Sequence, residues 1–168
     1  APMVRDSNPV LLSSKRGREV WEAFNAGGEQ AMKAFGGLLA DVSAGVNPFA
    51  DIDMAGSIWP EFVKLADTYN QPGVFTAMTG FEWTSQPNGN NLHRIVVFAD
   101  GADKTSRVRP FSMFDSQDPA KLWDYMENYE ASTGGRVFAH VHNGNLSNGL
   151  AFTTATVDGT PMDAAYAT

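Results

Sequence analysis

Glu82 and His93 stand near the two ends of residues 80–93, Gly-Phe-Glu-Trp-Thr-Ser-Gln-Pro-Asn-Gly-Asn-Asn-Leu-His, a turn rich in Pro, Asn and Gly between two apolar segments. His142 follows later, inside His-Asn-Gly-Asn. A carboxylate and two imidazoles can hold a divalent cation, and in a chain without cysteine only His, Asp and Glu remain as strong protein ligands. Each residue also has an ordinary reading. A Glu after a strand is commonly a solvated group or a cap partner, and His93 can be a hydrogen-bonded structural histidine. His142 has the better geometry for chemistry, because a strand-terminal His in an Asn/Gly loop is where sites tend to be built.

Other polar residues cluster around these three. Asn90, Asn91, Asn143, Asn145 and Asn148 can orient metal ligands or a substrate. Arg94 reads either as the partner of an acidic side chain, which base rates favour, or as a contact for an anionic substrate group. His140 and His142 form a His-x-His pair whose side chains share one face of an extended strand and could chelate one metal. A structural role for His140 is equally consistent with its apolar strand. No Gly-x-Ser-x-Gly elbow, dinucleotide fingerprint or phosphate loop is present. Asn145-Leu146-Ser147 matches a glycosylation sequon, a short pattern that arises often by chance.

The elements that must position these residues follow from periodicity and capping. After a Pro-flanked lead-in over residues 1–12, Ser13 or Ser14 offers an N-cap, and Val20, Trp21 and Phe24 predict a helix over 14–25 that ends at Gly27-Gly28. A second helix is expected over 29–43, weakened by Gly36-Gly37, and a third from Asp51 or Asp53 to Tyr69, with Pro60 as a kink or first turn. Residues 74–81 read as a buried strand, 92–99 as a strand buried on both faces, 119–131 as a helix, and 136–141 as a third strand that delivers His142. The segment 100–116 is polar and irregular, and the tail from Leu150 has little periodicity. Strand, helix and strand in alternation predict an α/β fold with a largely parallel sheet, preceded by a helical segment over 1–70 and forming one domain.

The chain has 168 residues, 43% of them hydrophobic, enough for a domain with a core. Its net charge of -7 repels a phosphate backbone, so nucleic acid is not expected as a partner, and the four tryptophans read as packing residues rather than a base-stacking platform. No apolar run approaches the ~20 residues that span a bilayer, so no membrane span is expected. The chain begins with Ala rather than Met, and an upstream segment is therefore expected.

The runs Tyr69-Asn70-Gln71-Pro72-Gly73, Thr79-Gly80-Phe81-Glu82-Trp83-Thr84-Ser85, Gly89-Asn90-Asn91-Leu92-His93-Arg94 and His142-Asn143-Gly144-Asn145-Leu146-Ser147-Asn148-Gly149 together resemble a bacterial domain-of-unknown-function family, number 3604. Pro110-Phe111-Ser112, Asp115-Ser116 and Leu122-Trp123 fit the same pattern. That family is similar to the PHP (polymerase and histidinol phosphatase) superfamily of metal-dependent phosphoesterases. The resemblance implies a partial, distorted β/α barrel with mostly parallel strands, and a metal site at the strand ends.

By the same resemblance Glu82, His93 and His142 are the metal ligands, the ion is zinc, manganese or iron, and Arg94, Asn91, Asn143 and Asn145 are substrate or supporting contacts. No catalytic residue is implied beyond the ligands. His140 falls at an apolar position of the family pattern. The family's early His-x-His and Thr-Asp-His motifs and its last Asp/His segment are not in this sequence, so the resemblance implies the central fragment of a longer hydrolase. Such a fragment would have an incomplete metal site and little or no activity of its own, and its small-molecule substrate is unspecified. It is expected to be soluble, in the bacterial cytoplasm or periplasm, and to self-associate through exposed strand edges. The competing expectation is a non-catalytic domain that binds a carbohydrate or an anionic ligand on the same polar rim.

Overall fold

A computed structural model describes residues 7–164 and 166. The lead-in at residues 1–6 and tail residues 165, 167 and 168 lie outside the described residues. The chain divides into two compact units, residues 1–62 and 63–168.

The first unit is helical. Asn8 accepts from the amides of Val10 and Leu11 and starts α1 (Pro9–Ser13). Ser14 follows in extended conformation and caps α2 (Lys15–Ala26), its Oγ accepting the Gly17 amide at 2.8 Å. The sharp α1–α2 corner needs glycine at 17, where a Cβ would fall 1.8 Å from the Leu11 carbonyl oxygen. Gly27, at φ 72°, ends α2 and opens α3 (Gly28–Ser43). Leu11 and Val20 are buried, whereas α3 buries no residue and leaves Met32, Phe35 and Leu39 exposed. A bond from Arg16 to Asp41 at 2.9 Å ties α2 to α3. Helix α4 (Met54–Tyr69) runs through Pro60 without ending there and passes from the first unit into the second.

The second unit is built on a three-stranded open sheet in the order β1-β2-β3, with β1 (Thr79–Trp83), β2 (Arg94–Phe98) and β3 (Val137–Val141). Both pairings are antiparallel. The expected partial barrel of mostly parallel strands is therefore incorrect. Two local causes decide it. Only residues 84–93 join β1 to β2, too few for the crossover that a parallel pair requires. The longer β2–β3 connection contains α5 (Ala102–Thr105) and α6 (Pro119–Thr133), yet it returns to the end of β2 that it left. Asp100 fixes that return, accepting from the Tyr129 hydroxyl at 3.0 Å and the Arg136 amide at 2.6 Å, while the Ala99 amide donates to the Arg136 carbonyl.

The register gives the sheet two unlike faces. Trp83–Arg94–Val141, Phe81–Val96–Ala139 and Thr79–Phe98–Val137 are rows on the core face, where Phe81 meets Tyr125 and Phe98 meets Tyr129 edge to face. Glu82–Ile95–His140 and Gly80–Val97–Phe138 are rows on the outer face, where Ile95 is 37% and Phe138 53% exposed. The expectation that β2 is buried on both faces thus fails for Ile95. Strand β1 also starts later than expected. Pro72 and Gly73, the latter at φ 81°, form a turn closed by paired Gln71–Phe75 backbone bonds, which uses up Val74 and Phe75 and leaves Val74 82% exposed.

Helix α6 is capped by Asp118, whose carboxylate accepts the Ala120 amide, with Pro119 in the first turn and Gly134 in left-handed conformation at the end. It lays Leu122 and Tyr129 into the core. No helix among the described residues is long and apolar enough to cross a membrane.

Candidate metal centre

Antiparallel pairing brings the end of β1, the start of β2 and the end of β3 to one rim of the sheet. Glu82 lies within β1 on the outer face, His93 immediately precedes β2, and His142 immediately follows β3. The His142 amide donates to the His93 carbonyl at 3.1 Å, so the two histidines sit side by side across the strand pair. Each of the three residues offers one ligand atom, and these atoms lie within 4.8 Å of one another. His93 Nδ1 is 2.9 Å and His142 Nδ1 3.6 Å from Glu82 Oε1.

These spacings fit a metal. Two ligands bound tetrahedrally at ~2.1 Å are roughly 3.4 Å apart, a separation that the two observed distances bracket. His142 Nδ1 is buried without a hydrogen-bond partner, a state that costs free energy when nothing fills it. Two imidazoles and a carboxylate also leave an open position on a four-coordinate ion.

The surroundings hold His93 in place. It is 8% exposed, and its amide donates to Asn91 Oδ1 at 3.1 Å. Asn91 is itself buried, with its amide bonded to the Leu146 carbonyl in the loop after β3. The β1–β2 loop is fastened from beneath, since Ser85 Oγ donates to the Gln117 carbonyl and the Gln86 amide to Gln117 Oε1, both at 2.8 Å. Burial lowers the pKa of His93 below its ordinary value; Glu82 pulls it upward, and His142 reinforces the lowering.

The remaining sequence candidates are placed differently. Asn143, in left-handed conformation, opens the turn Gly144–Leu146, and its carbonyl accepts the Leu146 amide. Asn145 is exposed in that turn. His140 shares the outer face but lies in register with Ile95, one strand removed from Glu82, and is not part of the cluster. Arg94 points to the opposite, core face, in register with Trp83 and Val141, and stacks over Trp123 at 5.7 Å from the ring centroid. The acidic partner expected for it is not found among the described residues. Thr84, whose hydroxyl donates to Glu82 Oε1 at 3.4 Å, was not singled out in the sequence. A threonine two residues after a glutamate carries no signal of that contact.

Fold and site together define an α+β protein whose small antiparallel sheet gathers a His, His, Glu cluster at one rim. The chain belongs to the family described as "Protein of unknown function (DUF3604)", whose model matches residues 4–168. No curated protein and no solved structure matches it.

Proposed function

We propose that Glu82, His93 and His142 bind a divalent metal ion as part of a metal-dependent hydrolase, with phosphoesters as the substrate class. The observation that carries this reading is the convergence of three ligand atoms within 4.8 Å on the rim of the sheet. The substrate class rests on the family's resemblance to metal-dependent phosphoesterases. Zinc, manganese and iron all suit a site of two imidazoles and one carboxylate.

A bound ion supplies Lewis acidity and lowers the pKa of a coordinated water into the neutral range. The chain's own residues do the rest. His93 and His142 present ring nitrogens, and the lowered pKa of His93 keeps it neutral at neutral pH. Glu82 supplies the negative charge that offsets part of the ion's, and Thr84 fixes its carboxylate. Asn91 holds the His93 backbone. The rim faces solvent through Glu82, so a substrate can approach from the outer face.

The test is metal content. Protein purified without chelator is expected to carry a stoichiometric divalent ion by inductively coupled plasma mass spectrometry. Glu82→Gln and His142→Ala each lower the affinity by more than about 100-fold, beyond what loss of an outer supporting contact does. Because the resemblance implies little or no activity from these residues alone, metal affinity is the deciding measurement, and any cleavage of p-nitrophenyl phosphate esters that chelator abolishes and the ion restores would support the reaction class. Metal-free protein whose affinity for zinc, manganese and iron is unchanged by both substitutions sinks the proposal.

A further inference from the structure

A cavity of about 210 Å³ lies on the core-face side of the second unit, walled by Leu92, Arg94, Trp123, Leu150, Val157 and Tyr166 among others. Among the described residues its lining is apolar apart from hydroxyls, an Asn and one charged group, Arg94. That group is poorly compensated. Arg94 forms no salt bridge with a carboxylate among the described residues, and its Nη1 is sealed from solvent without a hydrogen bond. Arginine does not relieve such a position by losing its proton, so the positive charge stays. The face of Trp123 offsets part of the desolvation, but a ring face supplies no carboxylate-like oxygen for the planar N–H fork. Arg94 is half-buried, and a charge partly withdrawn from water is normally paired. What this one lacks is an anion.

We infer that this cavity is a binding site for a small organic monocarboxylate with an apolar body, held by Arg94 and enclosed by Trp123, Leu92 and Leu150. The charge count selects the head group. Among the described residues of the lining, a single arginine with no lysine matches one negative charge and leaves a phosphate dianion under-neutralised. The size selects the body: the cavity is smaller than the ~300–1,000 Å³ of pockets for drug-sized ligands, so a compact aromatic or branched group fits. Tyr166 adds a second polar contact, because its hydroxyl accepts from Trp123 Nε1 at 3.2 Å and can still donate its own proton. This site is on the face opposite the His, His, Glu cluster and does not depend on the metal reading.

The test is a nitrogen-15 NMR titration of the metal-free chain with phenylacetate, phenylacetamide and inorganic phosphate, following the Trp123 indole and Arg94 guanidinium N–H signals. Phenylacetate is expected to shift both saturably and to bind at least about tenfold more tightly than the amide, the worth of a charge-assisted hydrogen bond. Arg94→Met is expected to remove that preference; if the variant fails to fold, the acid-to-amide comparison on the unaltered chain decides alone. Equal binding of acid and amide, tighter binding of phosphate, or the absence of saturable shifts at Trp123 and Arg94 overturns the assignment.

Discussion

Among single residues, His93 carries the most testable chemistry. Its folded-state pKa is lowered, so between that value and the ordinary 6.5 the unfolded chain binds more protons than the folded one. Stability of the metal-free protein therefore rises with pH across this window and is lost as pH falls through it, which urea midpoints measured from pH 7 down to pH 5 would record. Glu82→Gln removes the charge that holds the pKa up and widens the window toward lower pH. Asn91→Ala frees the His93 backbone and is expected to cost about 10–100-fold in metal affinity by competition titration, the range for outer contacts of a metal site. The three ligands could be nominated from the sequence because His and Glu beside an Asn/Gly turn are residue types that a metal needs. That they meet could not be read there. His93 precedes its strand whereas Glu82 and His142 sit at the ends of theirs, and only antiparallel pairing puts all three on one rim. Arg94 misled for a related reason: strand alternation turned it to the face opposite its neighbour, where no carboxylate among the described residues pairs with it.

At the level of elements, the longer helices were legible because capping and apolar spacing are local, whereas the short α1 and α5, expected as lead-in and irregular chain, are too brief to show a period. Ser14, Gly27, Asp118 and Gly134 each stand where the chain enters or leaves a helix. The strands were legible only as apolar runs. Val74 and Phe75 have strong strand propensity, yet the Pro72-Gly73 turn and the bond from the Ala77 amide to Asn70 Oδ1 hold their segment outside the sheet. The joint that decides the topology is Asp100. Its carboxylate serves Lys104, Tyr129 and the Arg136 amide together. Asp100→Ala leaves the buried Tyr129 hydroxyl without its acceptor, while the exposed Arg136 amide turns to water, and is expected to cost roughly 1–3 kcal/mol, the range for one unsatisfied buried donor. Guanidinium unfolding should show the loss as a lower midpoint with unchanged slope. Asp118→Ala removes only a cap and should cost about 1 kcal/mol in the same measurement.

For the molecule as a whole, the open sheet sets the behaviour. Each outer strand, β1 and β3, has one neighbour in the sheet, and the outer face shows Ile95 and Phe138 to solvent. Unpaired edges beside an apolar face favour pairing with another copy. Sedimentation velocity is expected to show a concentration-dependent rise in mass that Phe138→Lys reduces; a monomer at all concentrations would count against it. The class of sheet was misread because strand–helix–strand alternation is shared by a parallel crossover and by an antiparallel return. The Asp100 clasp, a tertiary contact over 29 and 36 residues of chain, chooses between them. The two faces also meet at one covalent link. His93 and Arg94 are consecutive residues, so the ion proposed for one face and the carboxylate proposed for the other are anchored to a single peptide unit. If one ligand shifts that unit and the shift alters the other site, thermodynamic reciprocity makes the change in affinity identical in both directions.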